Sequence, residues 1–247
     1  QTPVGTYPLA LLPAGAQFGT LVHSVLEAVD FHAADLDNEL ATRIDDELAW
    51  QFLDLRPDGT DGATNAQGRE LLVAGLRAVI ETPLGPLFDN RKLGDIPKAD
   101  RLNEMTFELL LGEAGHVAGD RDVGHLTLRH LETDDPLHPW ATKLASGAFS
   151  VDLAGHLTGS IDAVLRTTDA AGRPRFVIVD YKTNRLHTRG HTPRPGDYGR
   201  DSMAAAMDEH HYPLQAMLYA VALHRYLRWR LADYNPDTHL GGAAYLF

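Results

Sequence analysis

Cysteine is absent from the 247 residues. Without a thiol there is no disulfide scaffold, no thiolate zinc site, no iron–sulfur cluster and no cysteine nucleophile. Long apolar runs are missing as well. Pieces such as Phe176–Val179 fall far short of the about 18 apolar residues that a membrane helix needs, so no membrane partner is expected. Basic residues are outnumbered, 22 against 34 acidic ones, for a formal charge of −12. Taken alone, that deficit argues against a protein that grips nucleic acid over a broad basic face. The chain also lacks an Asn-x-Ser/Thr acceptor, a G-x-x-x-x-G-K-[ST] phosphate loop and a repeat of fixed period. Any ATP-driven step therefore has to come from another domain. The opening residues, from Gln1, show no basic region followed by an apolar one. They read as an excised piece of a longer polypeptide, with the cytoplasm as the expected compartment.

What is present is ordinary globular composition, 44% hydrophobic and 23% charged. A chain of this length buries roughly three quarters of its unfolded surface and needs no staples. Phe18, Leu21, Val22, Val25, Leu26 and Val29 recur at helical spacing and predict a helix over 17–30. Further helical patterns cover 36–55 and 67–81, joined by the turn-rich RPDGTDGATN (56–65). Met105, Phe107, Leu109 and Leu111 alternate, predicting a strand over 104–111. The stretch 112–156 carries no readable periodicity. Ser160–Arg166 and Phe176–Lys182 read as strands joined by a turn-forming loop, hence a β-hairpin. A polar connection (184–200), a short helix (201–209), a helix opened by Pro213 and a closing strand GGAAYLF complete the chain. No linker interrupts it. The expectation is a single α/β domain over 1–247, mainly helical over 1–100, with the core in 101–247.

The chemistry-bearing residues cluster on the hairpin. Asp162 lies within one apolar strand, and Asp180 and Lys182 lie near the end of the next. Residues i and i+2 of a strand share a face, so Asp180 and Lys182 project side by side. Carboxylates that meet across a hairpin repel unless a cation sits between them, and hard oxygen donors select Mg²⁺ or Mn²⁺. A structural salt bridge between Lys182 and Asp180 gives the same D-x-K pattern. Only four of the 22 basic residues are lysines, which makes a lysine inside this strand mildly informative.

Five ordered motifs go further. G-S-I-D (159–162), with D-Y-K-T-N (180–184) beginning 18 residues after Asp162, resembles the PD-(D/E)XK nuclease core. F-G-T-L-V-H (18–23) and H-Y-P-L-Q-A-M-L-Y (211–219) resemble the N-terminal and distal Q-x-x-x-Y motifs of the RecB-type nuclease domain. L-H-R-Y-L-R-W-R-L-A-D-Y (223–234) and G-G-A-A-Y-L-F (241–247) resemble the end of exonuclease V β-subunits. The resemblance implies a restriction-endonuclease-like core, a mixed central β-sheet flanked by helices, with an N-terminal helical segment. It implies a metal site of His23, Asp162, Asp180 and the Tyr181 carbonyl, with Lys182 as the catalytic lysine. Glu104 stands where the family places another acidic residue, and Gln215 and Tyr219 match the distal motif that orients the site or touches the substrate strand. The remaining twelve histidines fit no ligand spacing and are expected at the surface or in loops.

The expected function is a Mg²⁺-dependent deoxyribonuclease domain; Mn²⁺ would substitute, and Ca²⁺ would bind without supporting catalysis. Single-stranded DNA would be fed to it by the helicase region of the parent chain, beside RecC-like and RecD-like subunits, in double-strand-break repair and recombination. The rival is a catalytically silent module of the same fold that guides DNA or docks; it predicts loss of a carboxylate or the lysine, and none is missing. A site-specific endonuclease would need a basic recognition helix, which is absent. Arginines gather locally, at 185, 189, 194 and 200 in the polar connection and at 225, 228 and 230 in the last long helix. Weak, salt-sensitive DNA binding on an acidic body is the resulting expectation.

Overall fold

The computed structural model describes residues 8–59, 61–111, 118–148, 152–153, 155–169, 171–186 and 194–247. Arg189 and part of the unreadable stretch 112–156 lie outside the described residues. The chain divides into two compact units, one of Gln1–Met105, Ile161–Ala206 and Leu231–Phe247, the other of Thr106–Ser160 and Met207–Arg230.

In the first unit three helices pack on one sheet face: α1 (Ala16–Ala28), α2 (Leu36–Leu48) and α3 (Asn65–Glu81). Asp35 caps α2 by accepting from the Asn38 N–H at 3.0 Å, and Thr64 and Gln67 close a capping box on α3. α2 stops seven residues before its predicted end. The backbone N–H of Leu55 turns to the side chain of Asn65 at 2.7 Å, and Pro57 holds Arg56 out of the helical region. Leu21, Val25, Leu40, Ile44, Leu72 and Leu76 form the helical half of the core. α3 comes so close to the chain at Leu55 that a Cβ on Gly68 would lie 1.7 Å from the Leu55 carbonyl oxygen.

The four-stranded sheet has the order β1 (Arg101–Leu110), β4 (His156–Thr168), β5 (Pro174–Tyr181), β6 (Leu240–Leu246). β4 and β5 form the predicted antiparallel hairpin, with Ala163 opposite Val179; β6 joins β5 in parallel, so the sheet is mixed. Ala163, Leu165, Val177 and Val179 enter the helical core. The two-residue period then places Asp162, Val164, Ile178 and Asp180 on the other face. Between Phe176–Ile178 and Leu240–Ala243 the parallel register slips by one residue, and Gly242 takes up the slip at φ 100°. This bulge sets Tyr245 beside Asp180 and Leu246 beside Tyr181. His239, expected at the surface, is buried instead: it stacks on Tyr234 and is held by the backbone of Asn235.

The second unit fills much of the unreadable stretch. It holds the two-residue strands β2 (Ala118–Gly119) and β3 (Asp152–Leu153), paired antiparallel, and the helices α4 (Asp120–Leu128) and α5 (His138–Ala145). These helices are too short for 3.6-residue periodicity to emerge from the sequence. Trp140, Ala141 and Leu144 pack there with Leu214 and Met217 of α7 (Tyr212–Arg230), whose second residue, not its first, is Pro213. α6 (Arg200–Glu209) and the short α8 (Pro236–His239) complete the fold.

In an open helix, Gly→Ala is worth about 1 kcal/mol in favour of the alanine. Gly68→Ala reverses that sign, because the Leu55 carbonyl has to move; a loss of about 1–3 kcal/mol is expected in urea unfolding.

Candidate active site

The hairpin ladder reaches Ala163–Val179, and carrying its register one residue further puts Asp162 opposite Asp180. Asp180 is buried, and its Oδ2 meets the Lys182 ammonium at 2.5 Å. Among the described residues no further partner reaches that oxygen. Burial, then the neighbouring Asp162 carboxylate, push the Asp180 carboxyl up to about 6, against the pull of Lys182 and His23. Lys182 is anchored by its own N–H, which donates to the Leu246 carbonyl at 2.7 Å, and its ammonium lies 5.3 Å from the centre of the Tyr245 ring. The bulge at Gly242 therefore helps to place the lysine.

Asp162 Oδ2 accepts the Tyr181 N–H at 2.8 Å, locking the carboxylate across the hairpin. Its Oδ1 faces His23 Nδ1 at 3.3 Å, while His23 Nε2 lies 2.9 Å from the Tyr181 carbonyl. α1 holds His23 there because its apolar face, Phe18, Leu21, Val22, Val25 and Leu26, is buried in the core. The hydrogen bond to Asp162 raises the imidazole pKa against the opposing effect of burial. As an imidazolium the ring donates from both nitrogens and neutralises Asp162, just as Lys182 neutralises Asp180.

Beside these groups runs a small cleft lined by His23, Leu26, Glu27, Asn103, Glu104, Asp162 and Tyr181. Glu104 is therefore brought to the site, and at a cost: its φ of 51° lies in the left-handed region inside β1. Asn103 donates to the Glu27 carbonyl at 2.7 Å and ties β1 to α1. Gln215 and Tyr219 belong to the second unit, where Gln215 Nε2 donates to Tyr219 Oη at 2.8 Å across one turn of α7.

Residues 8–247 match the PD-(D/E)XK nuclease superfamily. The chain belongs to that superfamily. It is 47% identical to the RecBCD enzyme subunit RecB of Mycolicibacterium smegmatis over 97% of its length and 21% of the relative's. The RecB subunit of Mycobacterium tuberculosis shares 44% identity over 98% of this chain and 21% of its own. That of Escherichia coli shares 32% over 95% of this chain and 17% of its own. The chain thus spans about a fifth of the length of the curated relatives it matches. The mixed sheet flanked by helices is the restriction-endonuclease-like α/β fold expected of a PD-(D/E)XK protein.

As a PD-(D/E)XK chain, the protein presents Asp180, Tyr181 and Lys182 as the pattern in the superfamily's name. Its donor chemistry suits a hard divalent cation: two carboxylates, a strand carbonyl and an imidazole converge on one hairpin end. Among the described residues, however, no group of three or more His, Cys, Asp or Glu side chains is arranged to hold a metal ion. In this arrangement His23 meets the Tyr181 carbonyl and Asp162, and Lys182 meets Asp180. Sequence reading missed Glu27, which lines the cleft; burial, then Glu104 and Glu47, raise its pKa. Its signal was the four-residue spacing from His23, which puts both on one helix face.

Strain at Glu104 can be read directly. A left-handed backbone costs a side-chain-bearing residue about 1–2 kcal/mol, and glycine escapes that at an entropic cost of about 0.5–1 kcal/mol. Glu104→Gly is expected to leave the urea midpoint unchanged or higher, although it removes the cleft's glutamate. A clear fall in the midpoint would mean that the carboxylate, not the backbone, carries the stability there.

Proposed function

We propose that the chain, as one domain over 1–247, is a Mg²⁺-dependent deoxyribonuclease of the exonuclease V type. The observation that carries the reading is Asp162 set opposite Asp180, with Lys182 held against the buried Asp180 oxygen. A salt bridge that served stability alone would not need the second carboxylate, whose charge raises the pKa of the first.

In this reading His23, Asp162, Asp180 and the Tyr181 carbonyl hold the cation, with Mn²⁺ able to replace Mg²⁺ and Ca²⁺ bound unproductively. The bound cation supplies an activated water and offsets charge on the phosphodiester. A neutral His23 nitrogen and the ionised Asp162 and Asp180 carboxylates would be the donors, and Lys182 would supply a compact positive charge beside them toward a phosphate oxygen. Glu104 lines the approach through the cleft. Gln215 and Tyr219 orient the site or touch the substrate strand.

The name of the relatives, RecBCD enzyme subunit RecB, supports placement in a RecBCD-like enzyme. We read that enzyme as a cytoplasmic helicase–nuclease of double-strand-break repair and recombination. Single-stranded DNA would arrive from the helicase region, with RecC-like and RecD-like subunits as partners. The surface charge agrees with a domain fed by a motor. Arg194, Arg200, Arg225, Arg228 and Arg230 are exposed, whereas Arg185 is tied to Asp58 and the Leu12 carbonyl. No helix among the described residues is long and apolar enough to cross a membrane.

The test is single-stranded DNA with Mg²⁺, comparing the parent protein with Asp180→Ala. Cutting by the parent and its loss by at least about 100-fold in the variant, with an unchanged circular dichroism spectrum, is the expected outcome. Equal cutting by both proteins excludes the assignment. No cutting by a parent that still binds DNA favours the silent guiding module.

A further inference from the structure

Gly159 opens the G-S-I-D stretch on β4, and its lack of a side chain has a specific neighbour. A Cβ built there would stand 2.8 Å from Cζ and 3.2 Å from Cε1 of Phe107 on β1. Glycine inside a strand weakens it and marks a close approach, and an aromatic ring lying over such a glycine on the adjacent strand compensates. The same ring meets Tyr219 of α7 edge-on, with centroids 5.8 Å apart and planes at 76°. Tyr219 in turn accepts the Gln215 hydrogen bond at 2.8 Å. All four residues lie in the second unit.

The hydrogen bond between Gln215 and Tyr219 fixes these side chains relative to each other. Leu214 and Met217 seat α7 against Trp140, Ala141 and Leu144, and the Phe107 ring meets the helix at Tyr219 itself. The Phe107 ring is a wall outside that helix, and Gly159 provides the space that lets the wall stand there. We propose that Phe107 is the positioning residue of the Gln215–Tyr219 pair, and that position 159 is glycine because this ring needs its room. The proposal rests on the reading of Gln215 and Tyr219 as contacts to a single DNA strand. Phe107 acts on that strand through Tyr219 and does not touch it.

Fluorescence anisotropy of a labelled single-stranded oligonucleotide, with Ca²⁺ in place of Mg²⁺, measures binding independently of cutting. Phe107→Leu, Gly159→Ala and Tyr219→Phe are each expected to weaken binding by roughly 3- to 10-fold. The deciding variant is the double, Phe107→Leu with Tyr219→Phe: a residue acting through Tyr219 leaves it no weaker than Tyr219→Phe alone. Effects that multiply in the double variant, or Phe107→Leu that lowers the melting temperature without changing affinity, overturn the proposal in favour of plain packing. Parental affinity in Tyr219→Phe overturns both the proposal and the substrate-strand role of the distal pair. A parent that binds DNA and shows this coupling, yet cuts nothing in Mg²⁺, leaves the positioning intact and removes only the nuclease reading.

Discussion

Two carboxylates at one register position of an antiparallel hairpin set the terms for everything around them. Asp162 and Asp180 cannot both carry charge in a largely dry strand pair unless cations are brought to them. The fold brings two basic side chains. Lys182 follows Asp180 by two residues and needs only strand geometry to reach it. His23 comes from a helix 158 residues earlier in the chain than Tyr181, whose carbonyl it meets. The core under α1 thus does electrostatic work, because a helix free to slide would leave Asp162 without its counter-charge.

Backbone irregularities gather at the same place. The bulge at Gly242 shifts β6 so that Tyr245 and Leu246 stand beside Asp180 and Tyr181, and Leu246 then receives the Lys182 N–H. Glu104 departs from strand geometry in the neighbouring cleft. A regular sheet has no means of aiming consecutive groups at one point, since its side chains alternate in fixed directions. A bulge and a left-handed residue re-aim them locally, and the surrounding packing holds those conformations in place.

The acidic balance takes on a different meaning in this setting. Part of it is the site, where Asp162, Asp180, Glu104 and Glu27 meet a helix and a hairpin end. The exposed arginines of α7 are local features on an otherwise acidic body. The relatives are about five times longer, and in the proposed nuclease reading DNA affinity would reside elsewhere in such a polypeptide. A domain with that division of labour has no use for the broad basic face that a free-standing nucleic-acid binder carries.

The helices, the hairpin and the closing strand were legible because each has enough length for its period to repeat. α4 and α5 were not, being nine and eight residues long, and the end of α2 was set by the Asn65 side chain, which reaches Leu55 from ten residues away. At the site, the candidates were legible in the sequence: Asp162, Asp180 and Lys182 follow from strand spacing, the ordered motifs name His23, Gln215 and Tyr219, and Glu104 came from the family's additional acidic position. Only the tertiary structure decided that His23 bridges Asp162 and the Tyr181 carbonyl, that Glu27 lines the same cleft, and that Phe107 stands between Gly159 and Tyr219. Spacing along one strand or one helix is a property of local geometry. Contacts across elements depend on where the core, the bulge at Gly242 and the left-handed turn at Glu104 bring those elements to rest.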